Sequence, residues 1–173
     1  MLPKSIILPV CRLCFYHYII IMKDQNLKYC YEYPRPAITV DAIIVAQKFS
    51  RDMILLIQRK FYPFEGLWAL PGGFVGMEET LKVACQRELN EETGLKNIAI
   101  NQFFTFDEVN RDPRHRTIST VFYGMIDETA KVIGGDDAEK AGWFPINALP
   151  EMAFDHAAII GKFIREKLYL KEG

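Results

Sequence analysis

Gly73-Phe-Val-Gly-Met-Glu-Glu-Thr-Leu-Lys-Val-Ala-Cys-Gln-Arg-Glu-Leu-Asn-Glu-Glu-Thr-Gly-Leu95 is the stretch on which the reading of this chain turns. Thr80 to Thr93 has the residue types of a helix, and Gly94 stands where a C-terminal cap would stop it. An α-helix advances about 100° per residue. With Leu81 as origin, Cys85 falls at about 40°, Leu89 at about 80° and Ala84 at about 300°, which makes one buried stripe. Glu88 then falls at about 340°, Glu92 at about 20° and Glu91 at about 280°. Glu88 and Glu92 therefore continue the stripe that Leu81 and Cys85 begin. Lys82, Val83, Gln86 and Asn90 project toward solvent.

A glutamate-rich helix end is ordinarily a solvated face, and these angles tell against that here. Like charges at i,i+4 repel. Acidic groups at a helix C-terminus also oppose its dipole. Both penalties fall on the same turn, and a cation offsets them. Three carboxylates at i, i+3 and i+4 suit magnesium, a hard ion that takes oxygen ligands and bridges to phosphates. No His or Cys joins the cluster, which argues against zinc there.

Gly73-x5-Glu79-x7-Arg87-Glu88-Leu89-x-Glu91-Glu92-x-Gly94-Leu95 resembles the complete Nudix box, and the chain is similar to that hydrolase family from about Tyr33 to its last helix. The resemblance implies an α+β fold, a mixed β-sheet sandwiched between α-helices (an α/β/α sandwich), with the box as loop, helix and loop. It implies Mg2+, with Mn2+ able to substitute, held mainly by Glu88 and Glu92. Glu91 would be a further ligand or the base that activates water, and the carbonyl of Gly72 an added ligand. Arg87 and Glu79 would orient the ligand carboxylates. Such an ion neutralises a diphosphate and lowers the pKa of bound water for in-line attack on phosphorus.

Around the box the elements follow from residue type. Tyr33-Pro-Arg-Pro36 is stiff and extended. Ala37 to Ala46, rich in Ile and Val, reads as a buried strand, and Met53 to Gln58 as a second, with Gln47 to Asp52 a polar turn between them. Phe61 to Phe74 reads as irregular. Ile98 to Phe106, Thr117 to Ile126 and Ala141 to Phe144 read as strands, with a turn at Gly134 to Asp137. Asp155 is placed to cap a last amphipathic helix that buries Ile159, Ile160, Phe163, Ile164 and Leu168. The domain is expected over 33–173, with 1–32 as an N-terminal extension.

The box sets the chemistry and leaves the substrate open. Tyr33-Pro-Arg-Pro-Ala-Ile-Thr-Val-Asp41, Gly66-Leu-Trp-Ala-Leu-Pro-Gly-Gly-Phe74, Asp112-Pro-Arg-x-Arg-Thr-Ile-Ser119, Gly135-Asp-Asp-Ala138 before Trp143, and Phe154-Asp-His156 are together similar to the ADP-ribose pyrophosphatase branch. That likeness implies hydrolysis of ADP-ribose to AMP and ribose 5-phosphate. Arg59, at the end of a strand, is the expected phosphate contact, with Arg116 as another; Arg114 alone reads better as a salt-bridged loop residue. Phe64 or Trp68 could stack on adenine, although Trp68 reads more readily as core. His156 near a helix start reads as a structural partner. Two other functions stay open. One is an ADP-ribose sensor related to Nudix transcriptional regulators, against which the intact box and the chain's end at Gly173 count. The other is a nucleoside triphosphate pyrophosphatase.

The chain of 173 residues has room for one domain with a substantial core. Its net charge of −1 offers no electrostatic footprint for nucleic acid or an anionic membrane. The expected partner is a small nucleotide, in the cytoplasm, for an enzyme of nucleotide metabolism, with a homodimer left open. Of the four cysteines, Cys11 and Cys14 form a lone C-x-x-C, for which His17 is the only nearby third ligand, so reduced thiols are expected. Ser5 to Ile21 is apolar but interrupted by Arg12 and His17. It falls short of the roughly 20 apolar residues of a membrane span and lacks a signal-peptide cleavage site. Met22 is expected to be the natural start, with residues 1–21 upstream of it; a weakly membrane-associating tail is the second reading.

Overall fold

A computed structural model describes residues 31–48, 51–134 and 138–168. The expectations for the N-terminal run, the Met22 start and the Cys11/Cys14 pair lie outside the described residues. The strands and helices belong to a compact unit, Pro36–Gly173. They are β1 Ala37–Lys48, β2 Arg51–Arg59, β3 Trp68–Ala69, β4 Gly72–Phe74, α1 Leu81–Thr93, β5 Asn101–Phe106, β6 Thr117–Ile126, β7 Ala138–Pro145 and α2 His156–Phe163, which runs on as a π-helical turn, Ile164–Leu168.

The seven strands make one mixed sheet with the order β3-β2-β1-β6-β5, with β4 paired to β1 and β7 to β2. β1 and β6 run parallel from Ala37↔Thr117 to Ala46↔Ile126. β2 and β4 pair antiparallel with different parts of β1. β2 takes Val45 to Lys48, and β4 takes Thr39 to Asp41. Between these parts the Leu70-Pro71 segment closes on the strand, with Ala42 N–H donating to Pro71 O at 2.8 Å. This division of β1 brings the start of the box against the strand's midpoint.

Side chains alternate across a strand, and the two cores follow that rule. Val40, Ala42 and Ile44 of β1, Leu55 of β2 and Phe122 of β6 pack with Ala84, Cys85 and Leu89 of α1. Ile43, Val45, Ile54, Leu56 and Val121 pack with Ile159, Ile160 and Phe163 of α2. The sheet is thus covered on both faces, which is why β1 reads as a nearly unbroken apolar run. The expected sandwich of helices about a mixed sheet is the one observed.

Several local expectations are corrected. Within the expected polar turn, Gln47, Lys48, Arg51 and Asp52 extend both strands, because Gln47↔Asp52 and Lys48↔Arg51 are ladder pairs, and residues 49–50 lie outside the described residues; a ladder uses backbone groups and tolerates polar side chains where they are exposed. The irregular stretch before the box contains β3 and β4, held by pairing too brief to show as alternation. The strand expected from Ile98 begins at Asn101, although Ile98 and Ile100 still join the α1 core. The short strand at Ala141 lengthens to β7 because it follows β2 from Met53 to Arg59. Asp155 occupies the N-cap of α2 but makes no side-chain cap bond. Its carboxylate is taken by Arg111 instead, through Nε at 2.9 Å and Nη2 at 2.8 Å.

Candidate active site

α1 carries the acidic residues at the depths its periodicity predicts. Glu92 is buried, Glu88 is half-buried and Glu91 is exposed. Thr80 Oγ1 accepts the Val83 N–H at 3.3 Å at one end of the helix, and Gly94 closes the other with φ +75°. These caps fix where the helix starts and stops, and so which residues face the sheet.

Arg87 organises the carboxylates around it. Nε and Nη2 grip Glu79 at 3.1 and 2.6 Å. Nη1 reaches Glu88 at 2.7 Å and Glu91 at 3.0 Å, and Nη2 also donates to Phe74 O at 3.1 Å. All five of its donors are therefore used. The Arg87 bonds, joined by the Gly76 N–H, hold the Glu79 carboxyl below its ordinary value. Burial pushes Glu88 up, against the pull of Arg87. Glu92 accepts the Gly72 N–H at 2.8 Å.

The glycines at the start of the box exist for close approach. A Cβ on Gly73 would stand 2.5 Å from the Glu88 carboxylate, and one on Gly72 would stand 2.2 Å from Val40 O. The loop thus forms a cradle against the acidic side chains. Its donor set of carboxylates and backbone carbonyls suits a hard divalent ion. Nitrogen and sulfur are committed elsewhere. His156 Nδ1 holds the Leu70 N–H at 2.9 Å. Burial, then the nearby Asp41 and Glu88, pushes the Cys85 thiol up to about 12. As arranged, no three His, Cys, Asp or Glu side chains among the described residues stand close enough to enclose an ion. Arg87 and the Gly72 N–H hold these carboxylates, so enclosing an ion requires the side chains to turn. The chemistry of the donors fits magnesium, and the residues that would hold it are Glu88, Glu92, Glu91 and the Gly72 carbonyl.

A cleft of about 310 Å³ opens beside this cluster. It is lined by Asp41, Gly72, Gly73, Glu88, Glu92 and His156, and, from β2 and the loops, by Arg59, Arg111, Asp112, Arg114 and Phe154. Phe61, Tyr62 and Phe74 line it too, each well exposed. Arg59 therefore reaches the cleft as expected, donating from Nε to Pro63 O at 2.9 Å and lying 4.9 Å from the Phe154 ring centre. Arg114 lies 5.5 Å from the same ring and is paired with Asp112 at 2.8 Å. Burial works against the Asp112 charge, but the Arg114 bonds outweigh it and hold the carboxyl low. Phe154 adopts φ +53°, a costly conformation for an aromatic residue, directly against the cleft.

Three expected contacts are not brought there. Trp68 packs edge-on against Phe144 at 4.5 Å, within the α2-side core. Phe64 lies against Phe154 at 4.8 Å, outside the lining. Arg116 turns to Glu108 O and Thr117 O, while Arg114, two residues earlier, takes its place. The cause is a side-chain turn, in which Asp112 Oδ1 accepts the Arg114 N–H at 3.0 Å. Glu91, Glu79 and Arg87 lie outside the lining, and Arg87 ties the two carboxylates to Glu88, which is in it. Asp41, Phe61, Tyr62, Arg111 and Phe154 were not anticipated. Asp41 did carry a signal, a carboxylate inside an Ile- and Val-rich strand.

Residues 35–166 match the NUDIX domain. The chain belongs to the Nudix family. This Nudix hydrolase is 43% identical over 148 residues to an ADP-ribose pyrophosphatase of Methanocaldococcus jannaschii, covering 85% of this chain and 84% of that protein. It is 35% identical over 129 residues to the ADPR responsive transcriptional repressor NtrR of Acinetobacter baylyi, covering 72% of this chain and 52% of the repressor. Among solved structures, the NUDIX domain of Shewanella oneidensis NrtR complexed with ADP ribose aligns with a TM-score of 0.72 and 28% identity, over 87% of this chain and 97% of that one.

Proposed function

We propose that this Nudix hydrolase splits the diphosphate of ADP-ribose with Mg2+, or Mn2+ in its place, giving AMP and ribose 5-phosphate. The observation that carries the reading is one cleft lined both by the carboxylates Glu88 and Glu92 and by the arginines Arg59 and Arg114, with Arg111 beside them paired to Asp155. A sugar-linked nucleoside diphosphate has its charge in the middle and polar, uncharged ends. It suits a site that joins carboxylates able to take a cation with arginines and exposed aromatic rings. Bound there, the ion would neutralise the diphosphate and lower the pKa of an attacking water.

The protein's own groups do the rest. Glu88 and Glu92, with the Gly72 carbonyl, would hold the ion. Glu91 is a further ligand or the base that takes the proton from water. Arg87, locked by Glu79, keeps the crowded carboxylates together and offsets their repulsion. Arg59 and Arg114 bind phosphate oxygens, a role suited to paired guanidinium donors. Phe61 and Tyr62, the exposed rings, supply the surface for adenine in place of Phe64 and Trp68. The choice of ADP-ribose draws support from the similarity to the M. jannaschii enzyme.

A panel of ADP-ribose, NADH, diadenosine polyphosphates, nucleotide sugars and nucleoside triphosphates, each with Mg2+, tests the reading by its products. ADP-ribose is expected to turn over fastest, to AMP and ribose 5-phosphate. Faster release of pyrophosphate from triphosphates would overturn the substrate. The similarity to NtrR favours a second reading, in which ADP-ribose is bound as a signal. Binding without turnover would establish that reading, and AMP release would exclude it.

A further inference from the structure

A buried chain of polar groups runs across the strands at the cleft, with Asp41 and His156 among the lining, and has been given no part in the chemistry above. Ser119 of β6 donates its hydroxyl to one oxygen of Asp41 on β1. The other Asp41 oxygen stands 3.7 Å from Nε2 of His156, at the start of α2. Nδ1 of the same ring accepts the Leu70 N–H at 2.9 Å. A nitrogen that accepts is the unprotonated one, so the ring carries its proton on Nε2, toward Asp41. Relative exposures are 0% for Ser119, 7% for Asp41 and 5% for His156. Burying these groups costs desolvation that apolar residues of similar volume would not incur.

What the chain of bonds does is hold the backbone. Leu70 lies two residues before Gly72, whose N–H donates to Glu92 Oε2 at 2.8 Å. Between them Pro71 O accepts the Ala42 N–H. The lead-in to α2 is tied to the same loop, with Trp68 N–H donating to Glu151 O and Ala153 N–H to Trp68 O. Leu70–Gly72 is therefore gripped from α2 at one end, from β1 in the middle and from α1 at the other end. We infer that His156 is a positioning residue: by holding Leu70 through Nδ1, it sets the place of Gly72 and so of the Glu92 carboxylate on the opposite face of the sheet. The inference rests on the reading of Glu92 as an ion ligand. In this role His156, although it lines the cleft, acts through the backbone that it holds and does not change protonation.

The test is direct binding of Mn2+ to the full chain without nucleotide, read from the paramagnetic resonance signal of the free ion, beside thermal melting. His156→Asn places an amide oxygen near the position of Nδ1. His156→Gln carries it onward to that of Nε2. His156→Asn should bind Mn2+ like the parent, and His156→Gln about tenfold more weakly, as for other groups that orient metal ligands. Equal affinity in all three proteins, whatever their melting temperatures, overturns the inference. Glu92→Gln in the same series separates the two readings. If it binds Mn2+ like the parent, both fall. If it binds weakly while His156→Gln binds normally, only the role of His156 falls. Should His156→Gln not fold, Ser119→Ala takes its place, with weakened binding expected and parent-like binding overturning the inference.

Discussion

Gly72 and Gly73 are neighbours that should fail in different ways when a methyl group is added. At Gly72 the new Cβ meets backbone, Val40 O at 2.2 Å, which cannot move without parting β1 from β4. Gly72→Ala is expected to cost roughly 1–3 kcal/mol of stability by denaturant unfolding. At Gly73 the obstacle is the Glu88 carboxylate, the far end of a side chain that can swing away. Gly73→Ala should fold within about 1 kcal/mol of the parent, yet turn over ADP-ribose about 100-fold more slowly, because a carboxylate is displaced. Equal stability losses in the two variants would contradict this division. Glu88 and Glu92 were legible in the sequence because one angle per residue places them. Arg114 and Arg116 were not, because their directions depend on a turn made by Asp112, and no helical or strand period acts there. Trp68 was ambiguous for a related reason: a two-residue strand has no pattern of its own, and packing against Phe144 decides the matter.

α1 is the element whose bounds matter most, since a shift of one residue would rotate Glu88 and Glu92 off the sheet by about 100°. Its two caps were both readable as residue types, Thr80 before the helix and Gly94 after it. Thr80→Ala should destabilise the protein by about 0.5–1 kcal/mol. Gly94→Ala should cost about 1 kcal/mol through the left-handed φ that an L side chain resists. Chemical denaturation of both variants checks the values, and a null effect at Gly94 would deny the cap its role. The start of α2 shows the limit of such reasoning. Asp155 has the right type for a cap, but Arg111 offers it a charge-assisted pair of bonds, and that pairing prevails over a cap bond. β1 was legible from Ala37 onward by its apolar run. Its division between β2 and β4 was not, because partner choice is tertiary and leaves no mark in the strand itself.

The unit Pro36–Gly173 is a sheet with a helix on each face, with polar groups admitted at the cleft. That arrangement gives its stability a pH dependence. Burial lowers the pKa of His156 below its ordinary 6.5, against the pull of Asp41 and Asp155. The unfolded chain therefore takes up a proton at a pH where the folded chain does not. The stabilisation is fully present above about 6.5 and is lost as pH falls from there toward the lowered value. Glu79 and Asp112, held low, add losses of the same sign at more acid pH, while Glu88, pushed up, acts in the opposite sense. Melting temperature should fall between pH 7.5 and 5.5, and fall less in His156→Asn; a flat profile in the parent would contradict the buried neutral imidazole. The proposed function needs the box carboxylates and the arginines lining the cleft to serve one substrate. The decisive quantity is the rate of AMP release from ADP-ribose in Mg2+ by the parent and by Glu88→Gln, with melting temperatures taken alongside. The parent should release AMP, and Glu88→Gln should lose roughly two to four orders of magnitude in rate while staying folded. No AMP from the parent, or an undiminished rate from Glu88→Gln, would contradict it.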